Sequence, residues 1–274
     1  TSRHELGEQL VVDPRVDLIS FTGSTATGHR IMEAGAPTMK RLFLELGGKS
    51  ADIVLDDADL AGKLAFSGLS TCIHAGQGCA MLTRLLVDRK RYDDAVAIVE
   101  QAFQGVTYGD PTDPGNVQGP QISEKQRDRV LGYIERGVDE GARLVVGGGR
   151  PEHLPKGWFV EPTLFADVDN SMTIAQDEIF GPVLVMIPFE DDDDAVRIAN
   201  DSKYGLSGGV TSASEERALA VARRVRAGTI SVNGGIYYGA DSPFGGYRHS
   251  GVGRQNGLEG FDQYLETKAI AVGL

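Results

Sequence analysis

Short apolar runs bounded by Gly and Pro alternate along this chain with segments whose apolar positions recur at helical spacing, the pattern of an α/β fold with a largely parallel sheet. The opening reads as the tail of a helix, a turn at Pro14, a strand over 16–21 and a helix from Gly23-Ser24 to about residue 34. Further strands are expected at 41–46, 51–54, 84–88, 144–146, 159–165, 183–189, 208–211 and 229–233. Helices are expected from 60 to about 74, over 91–103 with Tyr92, Ala95, Val96, Val99 and Phe103 on one face, over 195–200 and over 215–225. Ser123 followed by Gln126 resembles a capping box ahead of a helix carrying Val130, Leu131, Ile134 and Val138. The acidic stretch Asp56-Asp57-Ala58-Asp59 is placed to cap the helix after it, and the run from Asp191 to Asp194 sits where a positive helix end favours acids. The tail over 261–272 reads as extended chain, an exposed edge unless paired.

With 274 residues the chain can bury a core without disulfide staples. Its net charge of −12, from 27 Lys and Arg against 39 Asp and Glu, disfavours a nucleic-acid partner. Two cysteines, Cys72 and Cys79, fit a reducing compartment and a cytoplasmic protein. No apolar run approaches the length of a membrane span, and the first residues do not form a signal peptide. The chain does not start with Met, so a processed, nicked or truncated piece of something longer is expected.

The candidate chemistry centres on Glu45 and Cys79, each in a glycine-rich signature: Leu44-Glu45-Leu46-Gly47-Gly48-Lys49-Ser50 and His74-Ala75-Gly76-Gln77-Gly78-Cys79. A thiolate can attack an electrophilic carbon, and a carboxylate can activate the water that releases the product. Gly76 and Gly78 allow close backbone approach and leave N–H groups for a substrate oxygen, although a free cysteine can equally be a small buried hydrophobe. Cys72, on an apolar helix face, reads as packing. Glu45 ends an apolar strand, where open α/β sheets place their ligands and where partial burial raises a carboxyl toward a working base; a helix cap or a solvated loop acid is the alternative. A phosphate loop at Gly48-Lys49-Ser50 fails, because Phe43 occupies the position of its first glycine.

The turn Phe21-Thr22-Gly23-Ser24 follows a strand and opens a helix, so it can bind an anion or be an ordinary Ser-capped helix start. Asp177-Glu178-Ile179-Phe180-Gly181-Pro182 has residues suited to a ribose and a ring, or is a turn before a buried strand. Metal binding finds no ligand spacing here, neither at the acidic run nor among Cys72, His74 and Cys79, and a serine triad finds no GxSxG.

Five segments in order, Phe21-Thr22-Gly23-Ser24, Leu44-Glu45-Leu46-Gly47-Gly48-Lys49, Gly76-Gln77-Gly78-Cys79, Glu178-Ile179-Phe180-Gly181-Pro182 and Pro243-Phe244-Gly245-Gly246, resemble the aldehyde dehydrogenase superfamily. The resemblance runs from Val16 to the C-terminus. It implies that Cys79 adds to an aldehyde, that a hydride passes to NAD or NADP, and that Glu45 activates water to hydrolyse the resulting thioester. It assigns Gly23 and Ser24 to the cofactor pyrophosphate, Glu178 to the nicotinamide ribose, Phe180 to the nicotinamide side and the Leu46 backbone to the ring amide. The presence of Glu45 disfavours transfer of the acyl group to coenzyme A.

By the same resemblance, residues 1–47 are the remnant of a dinucleotide-binding, Rossmann-like domain, 48–250 a parallel-sheet catalytic domain with helices on both faces, and 251–274 a return and C-terminal oligomerisation strand for a homo-oligomer. Two departures stand out: His74 where the family commonly has Asn, and Tyr247-Arg248 for a more usual aromatic-Lys pair. The family's front part, with an oxyanion-hole Asn and an adenosine-binding Lys, has no counterpart before Thr1, so a chain nearly inactive alone is expected. A non-catalytic interaction fragment and a cofactor-independent thiol esterase on Cys79 are the competing readings.

Overall fold

The computed structural model describes residues 4–234 and 239–273. Its elements follow the alternation expected from the sequence: α1 (Glu5–Val12), β1 (Leu18–Thr22), α2 (Thr25–Gly35), β2 (Arg41–Glu45), β3 (Ala51–Val54), α3 (Leu60–Cys72), β4 (Arg84–Asp88), α4 (Tyr92–Gln104) and α5 (Glu124–Asp139). They continue through β5 (Arg143–Val146), β6 (Thr163–Ala166), α6 (Thr173–Gln176), β7 (Val183–Phe189), α7 (Asp192–Asn200), β8 (Ser207–Thr211), α8 (Glu215–Ala222), β9 (Thr229–Val232), β10 (Gly251–Val252) and α9 (Gly257–Asp262).

Among the described residues the strands form two sheets. The larger has the order β5-β6-β7-β4-β3-β8-β9 and is parallel except where β5 meets β6. Its central strands are buried on both faces, which is why they read as unbroken apolar runs. Alternate residues serve opposite sides. Ile53, Leu86, Val185 and Ile187 pack with Val130 and Ile134 of α5 and Val221 of α8, whereas Val54, Leu85, Val87, Leu184 and Met186 pack with Leu64 of α3 and Val99 and Phe103 of α4. Truncating a buried Leu, Ile or Met among these to Ala removes about 2–5 kcal/mol of stability.

The smaller sheet has the order β1-β2-β10. β1 and β2 are parallel, with Phe21 opposite Leu44 and Thr22 opposite Glu45. Gly251 returns antiparallel to Glu45, so the last third of the chain closes over the base position. Val11, Ile31, Leu44 and Leu46 form a small separate core beneath α1 and α2.

Several local expectations are corrected. The strand expected over 159–165 begins only at Thr163, because Pro162 has no N–H to give a ladder. The strand expected from 16 starts at Leu18, since the Val16 N–H turns back to the Asp13 carbonyl. Asp59 occupies the N-cap of α3 without a side-chain bond; Asp56 instead pairs with Arg217 at 2.7 Å and Asp57 accepts from Ser212 at 2.8 Å. Ser123 caps α5 by accepting from the Gln126 N–H at 3.2 Å, but the Gln126 side chain does not complete a capping box. Its amide donates across to the carbonyls of Ile179 and Phe180. Phe261 and Asp262 close α9 instead of extending, and beyond them Tyr264, Leu265, Ile270 and Val272 are exposed with no strand partner among the described residues.

Candidate active site

Glu45 ends the middle strand of the small sheet and is 3% exposed. Its carbonyl accepts from the Gly23 N–H at 3.0 Å, which ties the turn before α2 to the base position. Burial pushes its carboxyl up to about 7, against a hydrogen bond from Cys79, with the nearby Glu178 charge adding to the rise. One carboxylate oxygen, Oε2, is buried without a hydrogen-bond partner. A buried carboxyl with a free oxygen and a pKa near neutrality is suited to take a proton from water.

Cys79 reaches the same place by an unusual backbone path. The helix expected to run to about residue 74 ends at Cys72, and His74, Ala75 and Gly76 then take left-handed conformations with φ of 52°, 55° and 72°. Only Gly adopts this region at no steric cost. His, like Asn, takes it more readily than most residues, so His74 fits the turn. Two glutamines pin the turn: Gln121 donates to the Ala75 carbonyl at 2.8 Å, and Gln77 accepts from the Ile122 N–H at 2.9 Å. A Cβ on Gly48 would lie 2.6 Å from the Cys79 carbonyl oxygen, so the glycine pair after Glu45 is what lets the cysteine loop close on it.

The result is a Cys79 Sγ that donates to Glu45 Oε1 at 3.3 Å. Burial pushes the thiol up to about 12, and the Glu45 and Glu178 charges add to the rise. The resting pair is therefore a thiol hydrogen-bonded to a carboxyl group, with the proton on sulfur. Cys72 is fully buried in the α3–α4 core, consistent with packing.

Glu178 and Phe180 form the facing wall. Glu178 accepts from the Gly48 N–H at 3.1 Å, and a Cβ on Gly47 would overlap its carboxylate. Burial raises the Glu178 carboxyl above its ordinary value. Phe180 has φ of 59°, held by the Gln126 amide on its carbonyl at 2.8 Å. A narrow cleft lined by Gly48, Lys49, Gly78, Met81, Glu178 and Phe180 runs beside the Cys79–Glu45 pair.

Gly23 and Ser24 lie exposed at the start of α2. Ser24 caps that helix by accepting from the Thr27 N–H at 3.2 Å, so both open readings of this turn, a capped helix and an N-terminal anion site, describe the same geometry. The Leu46 N–H donates to the Ser250 carbonyl at 3.0 Å, while its side chain packs over Gly28. No group of three or more His, Cys, Asp or Glu able to hold a metal ion occurs among the described residues. The acids from Asp191 to Asp194 cap α7 and pair with arginines, Asp192 with Arg217 and Asp193 with Arg224.

Residues 1–270 match the model of the aldehyde dehydrogenase family. The chain belongs to that family. A putative aldehyde dehydrogenase from Staphylococcus saprophyticus is 46% identical over 267 residues, covering 97% of this chain and 56% of the relative. The crystal structure of a Mycobacterium tuberculosis aldehyde dehydrogenase complexed with NAD+ superposes with a TM-score of 0.92 at 49% identity, over 95% of this chain and 54% of that one. A variant of Pseudomonas syringae aldehyde dehydrogenase C, complexed with NAD+ and octanal, gives a TM-score of 0.95 at 43% identity, over 97% of this chain and 55% of that one. The chain thus spans about half the length of the relatives it matches.

Three features of the chain escape a reading of the sequence. Gln121 and Gln126 act across the fold on the two walls of the cleft, and nothing local to them signals it. Arg84, 1% exposed, donates to the Lys49 carbonyl and to the carbonyls of Ile198 and Ala199 at the end of α7. Lys49, set aside with the failed phosphate loop, is 2% exposed and its Nζ has no hydrogen-bond partner. Its position between two buried strands was the available signal. The departure at Tyr247-Arg248 is accommodated by Arg248, which donates to the Ser202 carbonyl at 2.5 Å.

Proposed function

We propose that this chain carries the reacting pair and one wall of the cofactor cleft of an enzyme that oxidises an aldehyde to a carboxylic acid. The 3.3 Å approach of Cys79 Sγ to Glu45 Oε1 is the observation that carries the reading. Cys79 adds to the aldehyde carbon while its thiol proton passes by way of Glu45 to the aldehyde oxygen, which forms a thiohemiacetal and leaves Glu45 ionised again. A bound NAD would supply the acceptor for the hydride, and with the adduct's hydroxyl proton lost to solvent a thioester remains. Glu45 then takes a proton from water as it attacks the thioester, and the acid leaves with the thiol restored. The Cys79 backbone N–H helps hold the oxyanion.

The residues present suit such a cofactor. The Gly23 N–H is taken by the Glu45 carbonyl, so at the exposed start of α2 it is the Ser24 hydroxyl and the positive end of the helix that face a phosphate. Glu178 offers a half-buried carboxylate to ribose hydroxyls, and Phe180 an apolar surface beside the ring. Because the Leu46 N–H is already taken by Ser250, its carbonyl is the atom left for an amide. The NAD+ bound by the relatives from Mycobacterium tuberculosis and Pseudomonas syringae supports NAD as a cofactor. The octanal bound by the latter supports an aldehyde substrate.

We further assign residues 1–47 to the cofactor-binding part, 48–250 to the catalytic part and 251–274 to an arm that pairs with a second copy, supported by the separate small sheet and the exposed apolar tail. Free Cys72 and Cys79 support a reducing, cytoplasmic setting, and no helix among the described residues is long and apolar enough to cross a membrane. Among the described residues β1 is an edge strand flanking the cofactor turn, which supports weak turnover by this polypeptide alone.

NADH formation with a panel of aldehydes, followed at 340 nm, tests the main reading. Cys79→Ala should abolish it, and retained turnover in that variant would refute the assignment. The cofactor-independent thiol esterase is favoured by one observation: the Cys79–Glu45 pair is complete without any cofactor atom. Cleavage of an activated ester, lost on alkylating Cys79 and indifferent to NAD, distinguishes it.

A further inference from the structure

Lys49 lies in the connection from β2 to β3 and lines the cleft together with Glu178. Its side chain is almost wholly buried, yet Nζ makes no hydrogen bond. A buried amine without a partner is costly, and packing alone does not call for it, since a Met fills the same volume without the polar end. Its surroundings carry charge on several elements. Glu178 and Asp177 lie in the turn before β7, Arg84 in β4, and Tyr204, in the turn before β8, lines a second small pocket with Lys49.

Of these groups, Asp177 already pairs with Lys203 at 2.6 Å and accepts from Tyr133 at 3.2 Å. Arg84 repels a second cation and is spent on carbonyls of Lys49, Ile198 and Ala199. The Glu178 carboxylate is met by the Gly48 N–H, while Arg129 donates to the Glu178 backbone carbonyl instead of the side chain. Glu45 and Cys79 both feel the Glu178 charge as a repulsion. The Arg129 charge favours the ionised Glu178 from the exposed side, where solvent screens it, and Lys49 adds a second, smaller contribution from the buried side.

We propose that Lys49 is a positioning residue for the cofactor cleft, its buried ammonium serving as the internal counter-charge that keeps Glu178 ionised beside Gly48; this rests on the reading of Glu178 as the ribose acceptor. An ionised carboxylate accepts hydrogen bonds from two hydroxyls at once, whereas a protonated one loses part of that capacity. Burial and Arg84 push the Lys49 amine down to about 7, opposed by Glu178 and Asp177. The support is therefore present on the acid side of neutrality and fades as pH rises through that value.

The test is a carboxyl carbon-13 titration of Glu178 in this chain, assigned with Glu178→Gln. In Lys49→Met the Glu178 midpoint should rise by roughly 1 unit or more, and in Lys49→Arg, which keeps a fixed charge, it should return to the wild-type value or below. An unchanged Glu178 midpoint in a folded Lys49→Met protein overturns the proposal. If Lys49→Met does not fold, the reciprocal measurement decides. The Lys49 carbon-13 ε signal should titrate lower in Glu178→Gln, where the amine loses its counter-charge, and an unshifted signal overturns the proposal. Failure of the ribose reading is separate: Glu178→Gln would leave NAD affinity unchanged while the Lys49–Glu178 coupling persisted.

Discussion

Gly76 and Gly181 meet backbone to backbone, so closely that a Cβ on Gly76 would overlap the Gly181 carbonyl. The contact joins the two walls of the cleft, since Gly76 leads to Cys79 and Gly181 follows Phe180. It also explains why the cysteine signature needs glycine at this position, where φ is 72°. Gly76→Ala combines a left-handed conformation with a steric clash and should cost at least about 2 kcal/mol. Chemical denaturation measures the loss, and slower alkylation of Cys79 reports the displaced loop.

Glu45→Gln separates the two half-reactions. The neutral amide cannot take a proton from water, so hydrolysis of the acyl-enzyme should slow by about 10²–10⁴-fold. With an activated ester, a burst equal to the enzyme concentration should remain while the steady rate collapses. A steady rate equal to wild type would remove Glu45 from the mechanism.

The same substitution reads the electrostatics of the thiol. The Glu45 charge and hydrogen bond hold the Cys79 thiol up, so Glu45→Gln should move its midpoint below about 12. The pH dependence of iodoacetamide alkylation, with loss of mass label in Cys79→Ala as the control, gives the shift directly.

Glu45 also links stability to pH. Its carboxyl rises from 4.5 to about 7 on folding, so the folded state binds more protons between those values. The cost is absent below about pH 4.5, grows through the interval and is complete above about pH 7, reaching on the order of 3 kcal/mol. Glu45→Gln should therefore be more stable than wild type at pH 8 and nearly equal to it at pH 4. Urea unfolding at the two pH values measures the difference.

Arg84→Met should cost about 3–5 kcal/mol, because it orphans the Asn170 amide oxygen and the Lys49, Ile198 and Ala199 carbonyls in the interior. The loss appears in the denaturation midpoint. Since Arg84 opens the strand directly after the cysteine loop, the Cys79 alkylation rate should change with it.

Removing residues 264–274 tests the arm. The exposed Tyr264, Leu265, Ile270 and Val272 form an apolar stretch that we assign to pairing with a second copy. Sedimentation should move toward monomer in the shortened chain, and an unchanged profile would end that assignment.

Much of the fold was legible in the chain because its signals are local. The continuous apolar runs of β3, β4 and β7 report burial on both faces, and the helical spacing of α4 reports one buried face. Errors arose where one residue overrides its neighbours, as Pro162 does for the start of β6, or where a distant partner outbids a local one. Arg217 and Ser212 took Asp56 and Asp57 away from the cap of α3, and the carbonyls of Ile179 and Phe180 took the Gln126 side chain away from its capping box.

The sequence by itself determined the family, the alternating architecture and the identity of Glu45 and Cys79 as the candidate pair, since those are carried by short motifs and by periodicity. Only the tertiary structure decided that Cys79 hydrogen-bonds to Glu45, that Gln121 and Gln126 hold the cleft walls and that Lys49 lies buried beside Glu178. The physical reason is that these relations depend on distances between residues far apart in the chain, set by how two sheets and a left-handed turn close on one another.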